Sequence, residues 1–314
     1  MLRLRPANGS AAVADAVPGR PWWARFGRSG FGAVFGRISS DPLAVAAGVV
    51  LLIFLFVAVF GPLLAPYDPT ERTRTATGEL AYLQPPSSEH LLGTTNLGRD
   101  VFSQLLVGAR AALIVGGIAA LAEAVIGVLL GLVAGYRKGW VDGLVMRALD
   151  VAYALPVEPV AIVLLVFLGQ SIWTIVLAIV LLSWRAAARV IRAQVLSISA
   201  RSFVKGARAV GASDRRIMFR HILPNVLPIA VVYLPVGFGN AIIAEAAISF
   251  LGFGDPDTIT WGMMLHEVFT AGATETAWWW VISPGLAITI VVAAVFFITR
   301  AFEDILNPRL IGRS

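Results

Sequence analysis

The chain has no cysteine and only two lysines, Lys138 and Lys205, among 314 residues. Without thiols there is no disulfide framework, no thiol nucleophile, no thiolate zinc site and no cysteine-ligated iron–sulfur cluster. Charge is scarce as well: 14% of residues are charged and 58% are hydrophobic, where an ordinary soluble domain carries roughly 25% charged residues. The length suggests two globular domains, but the charge needed for their water-facing surfaces is missing. A P-loop needs a Gly-Lys-[Ser/Thr] step, and the two lysines follow Arg137 and Val204, so ATP is not held that way. His90, His221 and His266 fall on different predicted surfaces, and His266-Glu267 lacks the second histidine of a zinc-protease helix. A Gly-x-Ser-x-Gly nucleophile turn is also absent. We therefore expect no catalytic residue, no metal site and no cofactor bound by this chain.

What is present is apolar sequence in long runs. Six stretches are long enough to cross a hydrocarbon core of about 30 Å as helices: 43–65, 111–134, 144–168, 172–190, 226–251 and 279–299. The third contains Asp150, Pro156, Glu158 and Pro159, which predicts a kinked helix. The fold class expected is an all-α integral membrane protein with six transmembrane helices.

Basic residues then orient the spans. With the amino-terminal segment on the cytoplasmic side and the sides alternating, only Arg72, Arg74, Arg99 and Arg110 of the 25 basic residues fall outside. Both termini are therefore predicted to be cytoplasmic. The net charge of +6 and a pI near 10.3 would fit nucleic-acid binding in a soluble chain; here membrane orientation accounts for them, and no nucleic-acid partner is expected. The first apolar run follows a leader far longer than that of a signal peptide, so it reads as a retained helix. Residues 1–42 form a cytoplasmic tail, in which Pro21, Trp22, Trp23, Arg25, Phe26 and Arg28 suit a helix lying in the interface with membrane lipid. Residues 66–110 and 252–278 form the external segments, the core spans 111–302, and 303–314 is a cytoplasmic tail.

The cytoplasmic loop 191–225 is rich in arginine yet patterned. Phe203, Ala207 and Val210 recur at helical spacing, Gly211 suits a helix end, and Ser213 or Asp214 suits the cap of a second helix through Ile217, Phe219 and Ile222. Charge alone favours a solvated loop held at anionic headgroups. The apolar stripe and the central glycine favour a protein partner.

Four stretches carry a family resemblance. The first is Val204-Lys205-Gly206-Ala207-Arg208-Ala209-Val210-Gly211-Ala212-Ser213-Asp214, continuing to Phe219-Arg220-His221-Ile222-Leu223-Pro224-Asn225. The second is His90-Leu91-Leu92-Gly93-Thr94-Thr95-Asn96-Leu97-Gly98-Arg99-Asp100-Val101, with Gly108-Ala109-Arg110. The others are Ala244-Glu245-Ala246-Ala247-Ile248-Ser249-Phe250-Leu251-Gly252 and Trp261-Gly262-Met263-Met264-Leu265. In this order they resemble the C-type permease of the dipeptide, oligopeptide and nickel ATP-binding-cassette (ABC) importers, over roughly residues 43–310. Lys205 and Gly206 stand where that family usually has Glu and Ala, and Thr95-Asn96 replaces a common acidic residue.

The resemblance implies a type I ABC importer permease in a bacterial inner membrane, with a cytoplasmic coupling helix. It implies an ATPase-coupling loop of Phe203, Lys205, Gly206, Ala207, Arg208, Val210, Gly211, Ala212, Ser213 and Asp214. It further implies binding-protein docking near Leu97, Gly98, Arg99 and Asp100, on an external cap ending in an amphipathic helix before span two. The implied partners are a homologous second permease, two ATPase subunits carrying ATP and Mg, and a solute-binding protein. Peptides are the implied solute, with nickel or oligosaccharides as alternatives within the family and an ion-coupled secondary transporter as the alternative outside it.

Ionisable groups within hydrocarbon are costly and should face protein or water. Glu123 shares a stripe with Ala119, Gly127, Gly131 and Gly135, a small-xxx-small pattern that lets helices approach. Glu245 lies on a stripe with Gly237, Ala241 and Ser249, with Asn240 nearby, in a helix that Pro235 should bend. Each stripe suits either a helix interface or the wall of a solute pathway. Asp150 stands one turn after Arg147, a spacing that suits a local pair, and Glu158 follows Pro156 where a helix break could expose it.

Overall fold

A computed structural model describes residues 41–306 except Ala76, with side chains described up to residue 302. The interfacial helix expected within 21–28, almost all of the tail 1–42 and most of the tail 303–314 lie outside the described residues. The described chain is helical, with two isolated β-bridges, Arg74 to Leu80 and Thr94 to Asp100.

Helix α1 (Pro42–Leu64) starts where Asp41 accepts a hydrogen bond from Leu43 N at 2.9 Å, with Pro42 in the first turn. Helix α2 (Val101–Arg137) has 37 residues. It begins well before the apolar run because Asp100 caps it, accepting from both Ser103 N and Ser103 Oγ. The amphipathic helix expected before span two is thus the first part of α2, without a break at residue 110.

The third span is more than kinked. It is two helices, α3 (Gly139–Ala154) and α4 (Val157–Leu168), bent by 90°. Pro156 disfavours helical backbone in the residue before it, and Leu155 is accordingly extended at φ −92° and ψ 124°. Helix α5 (Ile172–Ser199) overruns its predicted end by nine residues. After it come α6 (Ser202–Ala209) and α7 (Asp214–Phe253), a 40-residue helix with π-helical turns near both ends. Only residues 200–213 of the predicted loop 191–225 separate the long helices, and α6 occupies most of them. Helix α7 runs through Pro228 and Pro235. The external α8 (Trp261–Thr270) and the terminal α9 (Trp278–Leu306) complete the described chain. Among the described residues five helices are long and apolar enough to span a membrane, or six if α3 and α4 together make one.

Helix α2 is the hub, packing on α1, α5 and α7. Its small-residue stripe is what lets α5 in: a Cβ on Gly131 would lie 2.7 Å from Ala188 O, and the atoms beside Gly127 and Gly135 are equally close. The outer core gathers Trp261, Trp280, Ile242 and Val291, and Trp261 Nε1 donates to Leu105 O at 3.0 Å, tying α8 to α2. The inner core gathers Leu132, Ile191, Val204, Ile217 and Ile222. Along α1, by contrast, Leu52, Val59 and Leu63 are exposed, the pattern of a helix facing lipid or a second chain.

Candidate coupling surface and translocation cavity

At the predicted cytoplasmic end, α6 is attached from below and open above. Its turn into α7 is a Schellman motif: Ala212 N donates to Ala207 O at 3.0 Å and Gly211 N donates to Arg208 O at 3.1 Å. Gly211 has φ +81°, a conformation that costs any residue with a Cβ. Ser213 then caps α7, its Oγ accepting from Arg216 N.

The expected stripe divides. Ala207 and Ala212 pack with the fully buried Val204 against the inner core, whereas Phe203 and Val210 point outward, Val210 at 84% exposure. Phe219 is exposed as well, in a cleft of about 630 Å³ that also involves Ser213, Arg215, Arg216, Arg220 and Pro224. Lys205 and Gly206 are exposed, and a Cβ on Gly206 would meet nothing within 4 Å. Sequence reasoning missed Tyr136 at the end of α2. Its hydroxyl donates to Asp214 Oδ1 at 2.6 Å and accepts from the Arg208 guanidinium at 3.3 Å, so one phenol links α2, α6 and α7.

Within the spans, Glu123, Glu158 and Asn240 line one cavity of about 350 Å³ with Tyr153, Ser183 and Arg185. Glu158 reaches it because the break at Pro156 places it in the first turn of α4. The other embedded candidates lie elsewhere. Asp150 pairs with Arg189 at 3.2 Å in place of the expected Arg147, because α3 lies along α5. The same contact includes Asp142, which accepts from Arg192 Nε and Nη2 at 2.5 and 2.6 Å, and Tyr153, whose ring lies 4.3 Å from the Arg189 guanidinium. Glu245 is 1% exposed and accepts from Ser249 Oγ at 2.7 Å, so it and Ser249 form an internal pair away from the cavity. The helical spacing of Arg185, Arg189 and Arg192 was the one sequence signal for this arrangement.

On the predicted outer side, the four docking candidates separate by burial. Asp100 is fully buried, capping α2 and lying 2.9 Å from His90 Nδ1. Gly98 makes a buried turn at φ +71°. Leu97 and Arg99 keep some exposed surface, and Arg99 lies 3.8 Å from Glu267 on α8. Burial raises the Glu267 carboxyl above its ordinary value, with Arg99 and His266 opposing that shift. Tyr82 and Leu91, which the sequence did not single out, are the more exposed apolar side chains of this cap, at 57% and 58%.

Among the described residues, no group of three His, Asp or Glu side chains could hold a metal ion. Residues 127–312 match the family described as the inner membrane component of binding-protein-dependent transport systems. Residues 30–86 match the N-terminal transmembrane domain of oligopeptide transport permease C. The chain is 41% identical to the dipeptide transport system permease protein DppC of Escherichia coli, over 85% of this chain and 89% of that one. It is 35% identical to the DppC of Alkalihalophilus pseudofirmus, over 88% and 89%. It is also 36% identical to the glutathione transport system permease protein GsiD of Pectobacterium atrosepticum, over 94% and 92%. Helical architecture and these likenesses agree: the chain belongs to the binding-protein-dependent inner membrane permeases of ABC transporters, as a multi-pass, non-catalytic subunit.

Proposed function

We propose that this permease carries peptides inward as one of two homologous halves of a pathway, driven by two ATPase subunits that bind ATP and Mg and fed by a solute-binding protein. The observation that carries this reading is α6. Its inner face is anchored through Val204 and Tyr136, while Phe203 and Val210, with Phe219 on the adjoining α7, stay exposed among the described residues. A cleft on an ATPase would cover those apolar side chains, with Arg215, Arg216 and Arg220 at its rim. Movement of α6 would then pass to α2 and α7, which carry Glu123 and Asn240 of the cavity. The peptide assignment rests on the dipeptide and glutathione permeases to which the chain is similar. On the outer side, the binding protein would land on the cap around Leu97, Arg99, Tyr82 and Leu91.

The complete complex in proteoliposomes, with di- and tripeptides offered through the binding protein, tests this. ATP-driven uptake that Gly211→Val abolishes is expected, because a β-branched side chain cannot hold φ near +81°. Uptake by the permease alone under a proton gradient, with no ATPase present, would overturn it.

A further inference from the structure

The cavity between α2, α3, α4, α5 and α7 holds more acid than base among the described residues. Among the described residues, Glu123 and Glu158 line it with one cation, Arg185. Arg185 is already engaged: one Nη donates to Ala152 O at 2.8 Å and its guanidinium lies 4.9 Å from the Tyr153 ring centre. Glu123 is 8% exposed and makes no hydrogen bond or ion pair with any described residue. The packing keeps room for it, since a Cβ on Gly237 would lie 2.8 Å from Glu123 Oε2. A carboxylate only accepts hydrogen bonds, and a buried one without a partner is costly. The Arg185 charge acts on Glu123 without a hydrogen bond, so a charged hydrogen-bond donor that comes and goes suits the group.

We propose that this cavity is a transient binding site for the protonated amino group of the solute in passage, received by Glu123 and Glu158 with the Asn240 side-chain carbonyl as a third acceptor. The site rests on the reading that α2 and α7 line the pathway. An ammonium offers three donors to match three acceptors, and it is discriminated from an anion by the two carboxylates. In this way the permease selects one chemical feature common to peptides whatever their side chains.

The test uses the complete complex in proteoliposomes and two probes, Ala-Ala and N-acetyl-Ala-Ala, with each uptake rate normalised to the occupancy of the binding protein. Glu123→Gln is expected to lower Ala-Ala uptake about tenfold and N-acetyl-Ala-Ala uptake by no more than about twofold, the size of one charge-assisted hydrogen bond. Glu123→Asp should recover part of the loss. Equal losses for both probes would mean that Glu123 supports packing or meets a basic side chain of the second permease, and would overturn the proposal, as would unchanged Ala-Ala uptake. Glu158→Gln reads the same ratio independently of any folding defect at residue 123, and a ratio unchanged in that variant also overturns it. A wild-type complex that takes up neither probe with ATP would instead refute the importer reading itself.

Discussion

The Tyr136 hydroxyl donates to Asp214 across 2.6 Å, joining the last turn of α2 to the first residue of α7. Because Arg208 of α6 donates to the same oxygen, the phenol sits between a cation on α6 and an anion on α7. It connects α6 with the two helices that border the cavity.

Removing that hydroxyl should separate coupling from assembly. Tyr136→Phe keeps the ring, including its position 5.8 Å from the Arg208 guanidinium, and is expected to cost about 1 kcal/mol in stability. The peptide moved per ATP hydrolysed should fall while the complex still assembles; an unchanged ratio in proteoliposomes would show that the bond only stabilises.

Two helical glycines of α2 should respond in opposite directions. Gly131→Val forces Cβ to within 2.7 Å of a backbone oxygen of α5, and backbone does not yield, so more than about 2 kcal/mol should be lost. Gly117→Ala meets nothing within 4 Å and should add roughly 0.5–1 kcal/mol through helix propensity. Thermal unfolding in detergent, followed by tryptophan fluorescence, checks both.

The Asp142–Arg192 pair should couple measurably because it is bidentate and only partly exposed, at 18% and 26%. A double-mutant cycle with Asp142→Asn and Arg192→Gln is expected to give a coupling energy of roughly 1–2 kcal/mol. Additive single effects would mean that α3 is held on α5 by packing alone.

Acidity should tighten the outer end. The Glu267 carboxyl is raised above its ordinary value of 4.5 by burial, so the folded chain favours its protonated form. This contribution is fully present below 4.5 and is lost as pH rises through the folded value. Glu267→Gln, which keeps a neutral side chain at every pH, should flatten that part of the pH dependence and stabilise α8 at neutral pH. Hydrogen exchange of the α8 amides from pH 4 to 7 reports it.

Within residues 200–213, Gly206 and Gly211 play opposite parts. Gly206→Ala should be neutral or stabilising by about 1 kcal/mol, since the position is helical and open. Gly211→Ala should cost about 1–2 kcal/mol, since its φ is +81°. Circular dichroism and unfolding midpoints separate the two, and uptake should follow Gly211 alone.

What the sequence alone determined is whatever depends on local order along the chain. Apolar runs of membrane length, the asymmetry of arginine and lysine, the small-residue stripe of α2 and the helix–glycine–helix of 200–213 are all encoded by neighbours within a few turns. The tertiary structure decided what depends on which elements lie side by side. Arg147 is nearer to Asp150 in sequence, yet Arg189 pairs with it because α3 folds back along α5. Glu123 and Glu245 look alike in sequence, each an acid on a small-residue stripe. One borders a cavity with Glu158, and the other is buried against Ser249. The 90° break at Pro156 puts Glu158 in the first turn of α4, beside the cavity that Glu123 borders. An acid's role in a membrane is set by what the neighbouring helices place opposite it, and spacing along its own helix carries no record of that.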